Sequence, residues 1–166
     1  MGQVPDVCVL DPDGDVVRYL RHEHAAEQDA AWACYHTDLW VGCVGGRRIG
    51  VVGGAVGAPF AVLVAEELFV SGCTLLISVT SAGQIGDALP AGSMVLIERA
   101  LRGEGTSAAY LPPAPAIAMA PGIRQRVVAR VQGHSRPVTP VTSWTTSIEV
   151  NTCGYSSRCE PVTRIR

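Results

Sequence analysis

Val51-Val52-Gly53-Gly54-Ala55-Val56-Gly57-Ala58-Pro59 runs from an apolar strand into a glycine-rich loop. The period then changes. Phe60, Leu63, Val64, Glu67 and Leu68 recur at helical spacing, Pro59 suits a first helical turn and Gly72 suits an end, so Phe60–Ser71 reads as a helix. Thr74–Val79 follows as a continuous apolar strand and enters a second small-residue loop, Thr80-Ser81-Ala82-Gly83. Strand, glycine loop, helix, strand and small-residue loop make a βαβ unit. That unit implies a parallel sheet with a right-handed crossover, and an α/β fold.

Upstream, Val7–Leu10 is a short apolar run that ends at Asp11-Pro12-Asp13-Gly14-Asp15, a buried strand leaving into a turn. Val16–Asp29 begins a helix with a poor apolar stripe. Trp32–Val44 reads as one or two strands, Gly45-Gly46 as a hairpin turn and Arg48–Val52 as the strand feeding the glycine loop. Downstream, Met94–Ala100 reads as a strand and Arg102–Pro113 as a polar loop. Gly122–Gln132 reads as a short helix with Ile123, Val127 and Val131 on one face, and Val138–Trp144 as a further β-rich run. Ser147–Arg166 sustains neither period, which predicts a domain over 1–146 and an irregular, divergent tail over 147–166.

The composition excludes several classes. The chain has 166 residues, 48% hydrophobic and 17% charged, which argues against disorder and for a large buried core. All 13 basic residues are Arg, so no P-loop lysine and no Schiff-base lysine exists. A net charge of -2 without a clustered basic face predicts no nucleic-acid partner. The six Cys lie at long, uneven spacings without a Cys-x-x-Cys pair, which predicts free thiols in a cytoplasmic protein and no metal site. The N-terminus has no signal-peptide pattern. The longest apolar run, near Ala58–Val64, is too short to cross a bilayer, so no membrane partner is expected.

Ligands of open parallel sheets bind beyond the carboxyl ends of the strands. Gly53, Gly54 and Gly57 permit close backbone approach there, and amides at the start of the following helix favour an anion. Ser81, Ala82 and Gly83 end the next strand, where a hydroxyl and exposed amides suit a sugar or an anion. Glu104, Thr106 and Ser107 form a polar cluster in a loop that also ends a strand. His36 sits at the edge of an aromatic stretch. Each has a plainer reading: turn geometry for the glycines and Ser81, a solvated loop for Glu104, a structural histidine for His36. His22, His24, His134, Arg47 and Arg48 read as solvent-facing. The glycine spacing matches neither a dinucleotide fingerprint nor a Walker loop, and no Gly-x-Ser-x-Gly or His-Glu-x-x-His occurs. The catalytic residues stay unassigned on this ground, and the residues alone support an α/β domain with a small-anion or sugar site.

Taken in order, the motifs do more. Gly54-Ala55-Val56-Gly57-Ala58-Pro59, Glu66-Glu67-Leu68 and Ser71-Gly72-Cys73 resemble the nucleoside phosphorylase superfamily. The similarity continues through Ser78-Val79-Thr80-Ser81-Ala82-Gly83, Leu89-Pro90-Ala91-Gly92-Ser93-Met94-Val95, Arg102-Gly103-Glu104-Gly105-Thr106-Ser107 and Tyr110-Leu111-Pro112-Pro113. The resemblance implies a three-layer phosphorylase/hydrolase-like α/β fold with a mixed, mostly parallel central sheet. It implies cleavage of the N-glycosidic bond of a nucleoside by a phosphorylase (a pentosyltransferase) or a nucleosidase, with phosphate or water as nucleophile at C1′. No cofactor is implied; phosphate is the candidate co-substrate. A homo-oligomer is implied because the family's sites borrow residues across interfaces. Substrate contacts are implied at Gly54, Gly57, Ser81, Ala82, Gly83, Glu104, Thr106 and His36.

The departures bear on the nucleophile. Where the family's phosphorylases carry an Arg before the strand-end loop, this chain has Ser78. Their Gly-Asp-Pro-x-Arg phosphate loop is replaced by the acidic Leu10-Asp11-Pro12-Asp13-Gly14-Asp15. Ser81 and, as a weak substitute, Arg18 are left as phosphate ligands. The neighbouring subunit's phosphate Arg falls near Tyr35 or His36. Ser81-Ala82-Gly83 also resembles the loop of the methylthioadenosine nucleosidases, which use water. The family's Val-Glu-Met-Glu-Ala-like ribose segment has no counterpart in Ser147–Arg166, so the end reads as truncated or frame-shifted and the chain as inactive or as a non-catalytic ligand- or partner-binding remnant of the fold.

Overall fold

In the computed structural model, residues 3–32, 34–85, 89–131 and 137–146 are described. The tail over 147–166, with Cys153 and Cys159, lies outside the described residues, as does His134. The chain divides into two units, Met1–Ala82 and Gly83–Arg166.

The first unit contains β1 (Val7–Asp11), α1 (Asp15–Glu23), β2 (Glu27–Gln28), β3 (Leu39–Val44), β4 (Arg47–Gly53), α2 (Ala58–Val70) and β5 (Leu75–Ser78). Its sheet has the order β2-β3-β4-β1-β5. β1 runs parallel to both β4 and β5, whereas β3 is antiparallel to β4 and to β2. The hairpin turn is Gly45-Gly46 as expected, and both glycines take positive φ, 57° and 78°. The βαβ unit also forms as expected. β4 and β5 are not neighbours, however, because β1 pairs between them.

Side-chain alternation along the central strands separates two cores. Cys8 and Leu10 of β1 and Val52 of β4 face Val64 and Leu68 of α2, with Trp32, Leu39 and Ala55. Val51 of β4 faces Val17 and Leu20 of α1, with Ala26. Successive strand residues point to opposite faces, so α1 and α2 cover opposite sides of the sheet. This unit is therefore three layers deep: helix, mixed sheet, helix. The stripe of α2 is narrower than the sequence suggests, since Leu63 stays exposed while Val64 and Leu68, one turn apart, are fully buried. Cys73 is buried just before β5. Trp32–Val44 yields one strand, β3. Before it, Cys34 and Thr37 form a single antiparallel bridge around a tight turn.

The second unit contains β6 (Met94–Gly103), a 3₁₀ turn at Thr106–Ala109, β7 (Ala116–Ala118), α3 (Pro121–Val131) and β8 (Val138–Thr146). Its sheet has the order β7-β6-β8, with β8 parallel and β7 antiparallel to β6. Pro140 pairs opposite Leu96 on the outer strand β8, a position that a residue without an N–H can occupy. The register shifts between Ile97 and Arg99. At this irregularity Glu98 meets Arg124 of α3 at 2.8 Å. β6 extends past its expected end at Ala100 to Gly103.

Candidate functional site

Because β4, β1 and β5 are parallel, their carboxyl ends meet at one edge of the first unit's sheet. Backbone bonds tie the three ends together. The Gly54 N–H donates to the Asp11 carbonyl at 3.0 Å, and the Val79 N–H donates to the Leu10 carbonyl at 2.9 Å. The glycine bend and the Thr80-Ser81 bend therefore stand on the same rim, on either side of the end of β1.

Gly54 and Gly57 hold φ of 72° and 89°, the left-handed side that L side chains rarely take. A Cβ at either would meet nothing within 4 Å, so conformation rather than space demands glycine there. Gly57 precedes α2 and its carbonyl accepts the Ala61 N–H at 3.0 Å, which starts the helix at the rim. Gly53 is constrained differently: a Cβ there would lie 3.0 Å from Val17 of α1.

His36 belongs to the turn bridged by Cys34 and Thr37 and is exposed, with a left-handed φ of 66°. The Thr37 hydroxyl donates to the Gly53 carbonyl at 2.6 Å, which anchors this turn to the end of β4. His36 thus joins the same rim. Tyr35 beside it is 80% exposed, so this corner presents aromatic surface outward.

The acidic loop after β1 turns out to be a connector. Asp11 is 1% exposed, and its carboxylate accepts the Val17 N–H at 3.0 Å, capping the first turn of α1. Gly14 takes φ 77° between them. Asp13 reaches across the rim: its carboxylate accepts the Ser81 N–H and, at 3.3 Å, the Thr80 hydroxyl. The Ser81 amide first, and then the Ser81 and Thr80 side chains, hold the Asp13 carboxyl below its ordinary value. Arg18 is exposed and paired with Asp15 of its own helix. Its charge is therefore already matched.

Ala82 ends the first unit; Gly83, Glu104 and Thr106 belong to the second. Within that unit, Glu104 accepts the Ser107 N–H at 3.0 Å at the opening of the 3₁₀ turn, which Thr106 begins. Hydrogen bonds from Ser107, side chain first, keep the Glu104 carboxyl below its ordinary value. Arg102 donates from Nε to Ser107 Oγ at 2.9 Å, and its terminal nitrogens donate to the Leu111 and Pro112 carbonyls. The expected polar loop is thus a short turn fastened by Arg102, and Arg102 and Gly103 themselves end β6.

The sequence places Asp11 and Asp13 in an acidic turn without giving their partners, and it gives Thr37 no role. Only Asp11 carried a local signal, an acidic side chain shortly before a helix start. Asp13 and Thr37 act on partners 68 and 16 residues away. Among the described residues, no group of three or more His, Cys, Asp or Glu side chains could hold a metal ion. Cys8, Cys34, Cys43 and Cys73 are free thiols. No helix among the described residues is long and apolar enough to cross a membrane.

The parallel strands thus end in glycine and small-residue bends on either side of an acidic loop whose Asp11 caps α1. The family model described as "Phosphorylase superfamily" matches residues 6–148, and the chain belongs to that superfamily. Uridine phosphorylase from Vibrio fischeri ES114, solved with 6-hydroxy-1-naphthoic acid, superposes with a TM-score of 0.71 at 24% identity, over 87% of this chain and 58% of that one. Purine nucleoside phosphorylase from Toxoplasma gondii, in complex with immucillin-H, superposes with a TM-score of 0.73 at 15% identity, over 89% of this chain and 59% of that one. The chain thus spans less than two thirds of the length of these solved relatives. A search of curated protein sequences gave no significant match.

Proposed function

We propose that this chain binds a nucleoside at the rim formed by Gly54–Gly57, Asp11 and Thr80–Ala82 and cleaves its N-glycosidic bond. The observation that carries the reading is the placement of the glycine bend and the Ser81 bend on one strand-end edge, in a chain of the phosphorylase superfamily. Positive-φ glycines let backbone amides approach a sugar closely, and His36 at the rim's end offers a ring for hydrogen bonding or stacking. In the reaction the C1′–N bond breaks, oxygen of the nucleophile bonds to C1′, and the base leaves with a proton. The protein positions the partners and stabilises developing charge.

Gly83, Glu104 and Thr106 enter this reading as substrate contacts on the family resemblance, and so does a homo-oligomer that completes the site. A cytoplasmic location fits the free thiols. A second reading, a ligand-binding remnant without catalysis, is favoured by the pairing of Arg18 with Asp15, which occupies the cation offered for phosphate.

The test is a nucleoside panel with and without phosphate, read as free base and as melting temperature. Release of base supports cleavage, and its dependence on phosphate assigns the nucleophile. A ligand-dependent rise in melting temperature without release supports the remnant. Neither release nor a rise refutes both readings.

A further inference from the structure

We propose that Asp13 is a specificity-determining residue that keeps inorganic phosphate off this rim, by occupying with its own carboxylate the strand-end donors an anion would use. The proposal rests on the reading of the rim as a ligand site.

Backbone N–H and hydroxyl groups at the end of a parallel strand are ready anion ligands. Here two such donors, the Ser81 N–H and the Thr80 hydroxyl, already serve an internal anion, Asp13. The contact joins two loops 68 residues apart. An incoming dianion would have to displace that carboxylate and then sit beside it. The same loop offers no cation in exchange, since Asp11 caps α1 and Arg18 is already paired with Asp15. Ser78, the residue at the end of β5, brings no charge. A dianion that displaced the carboxylate would still sit beside its like charge, a repulsion that solvent at this exposed contact weakens but does not remove. A neutral nucleophile such as water meets no such barrier. In the hydrolytic form of the reaction, water supplies the oxygen bonded to C1′ and the proton carried off by the base, so no second anion is required.

The experiment titrates inorganic phosphate into the full chain and into Asp13→Asn and Asp13→Ala, read by ³¹P line broadening and melting temperature without nucleoside. Asn keeps an oxygen acceptor for Ser81 but removes the charge; Ala frees the amide as well. Phosphate affinity is expected to rise about tenfold or more in Asp13→Ala, with Asp13→Asn between it and the unaltered chain. Phosphate binding to the unaltered chain as tight as to the variants overturns the proposal. So does the absence of phosphate binding in both variants, provided that far-UV circular dichroism shows either one folded. Sulfate run in parallel tells general anion exclusion from phosphate recognition. Nucleoside binding is measured separately on the same proteins. If neither binds nucleoside yet the phosphate gain appears, the proposed function fails and the role of Asp13 stands. If nucleoside binds and the gain is missing, the reverse holds.

Discussion

The hydroxyl of Thr37 donates to the carbonyl of Gly53 at 2.6 Å. One bond thereby joins the turn that carries His36 to the strand end that opens the glycine bend. Thr37→Val keeps the shape and removes the donor. The expected cost is about 1 kcal/mol in urea unfolding, the usual loss for one hydrogen bond. Amide exchange at Tyr35 and His36 should quicken. Unchanged exchange there would show that the turn is held by other contacts.

Two glycines of the first unit are required for different reasons, and substitution separates them. Gly57 stands at φ 89°, ψ 143° with open space around it, so Gly57→Ala is expected to cost about 1–3 kcal/mol through backbone strain alone. Gly50 has ordinary φ, but a Cβ there would lie 2.9 Å from Leu39 and 3.0 Å from the Cys8 sulfur. Gly50→Ala should cost about 1–3 kcal/mol by overpacking, and trimming Leu39 to Val should recover part of it. The same trimming should leave Gly57→Ala as unstable as before. Recovery of both would overturn the distinction.

Asp11 couples β1 to α1 through the Val17 N–H at 3.0 Å. Asp11→Ala leaves that donor without its cap in a buried setting. A loss of about 1–2 kcal/mol is expected by chemical denaturation, with α1 fraying first. Asp11→Asn, which keeps an acceptor oxygen at the same reach, should lose less. Equal losses for Ala and Asn would count against the Val17 bond as the reason for Asp11.

Arg102 fastens the 3₁₀ turn to the Leu111–Pro112 segment with three donors. Arg102→Met retains the aliphatic stem and removes the donors. About 2 kcal/mol of the second unit's stability should disappear, since these bonds involve a charged group. Limited proteolysis should move to the neighbourhood of 103–112. A cleavage pattern identical to that of the unaltered chain would argue against this role.

Ionisation gives a prediction at each end of the pH scale. The folded carboxyls of Asp13 and Glu104 lie below the ordinary 3.8 and 4.5. Their contribution is complete above those values and is lost as pH falls through the depressed folded values. The Ser81 and Ser107 amide resonances should therefore shift only in that acid range. Burial, helped by the neighbouring Cys73, pushes the Cys8 thiol up to about 12, and burial with Glu67 pushes Cys34 up to about 11. Such thiols stay neutral in the fold while the unfolded chain ionises near the ordinary 9.0, so stability should decline as pH rises past that value. Exposed Cys43 should alkylate first, and buried Cys8 and Cys73 only on unfolding. Rapid alkylation of Cys8 in the folded protein would contradict its burial.

The segment from β4 through α2 to β5 is legible from residue order because each piece is encoded locally. Apolar runs make strands, a helical recurrence places Val64 and Leu68 one turn apart, and positive-φ glycines mark the bends. The hairpin at Gly45-Gly46 and the helix near Ile123 are readable for the same reason; α1 starts near Val16 as expected but stops at Glu23 instead of running to Asp29, where β2 takes up Glu27–Gln28. β7 escaped notice because Ala116–Ala118 has three residues and little intrinsic strand preference. It exists because β6 offers an open edge, with Arg99–Leu101 pairing against it.

The insertion of β1 between β4 and β5 was not readable, because nothing local says which strand a crossover passes. Nor was the exposure of Leu63, whose spacing fits the helix stripe but whose position falls outside the contact with the sheet. Residue types mark the glycine and Ser81 bends as candidates, yet nothing along the chain joins Asp13 to Ser81. Periodicity and glycine placement act over a few residues, so they are written into neighbouring positions. Strand order, and the meeting of a carboxylate with an amide 68 residues away, exist only once parallel pairing has brought three strand ends to one edge.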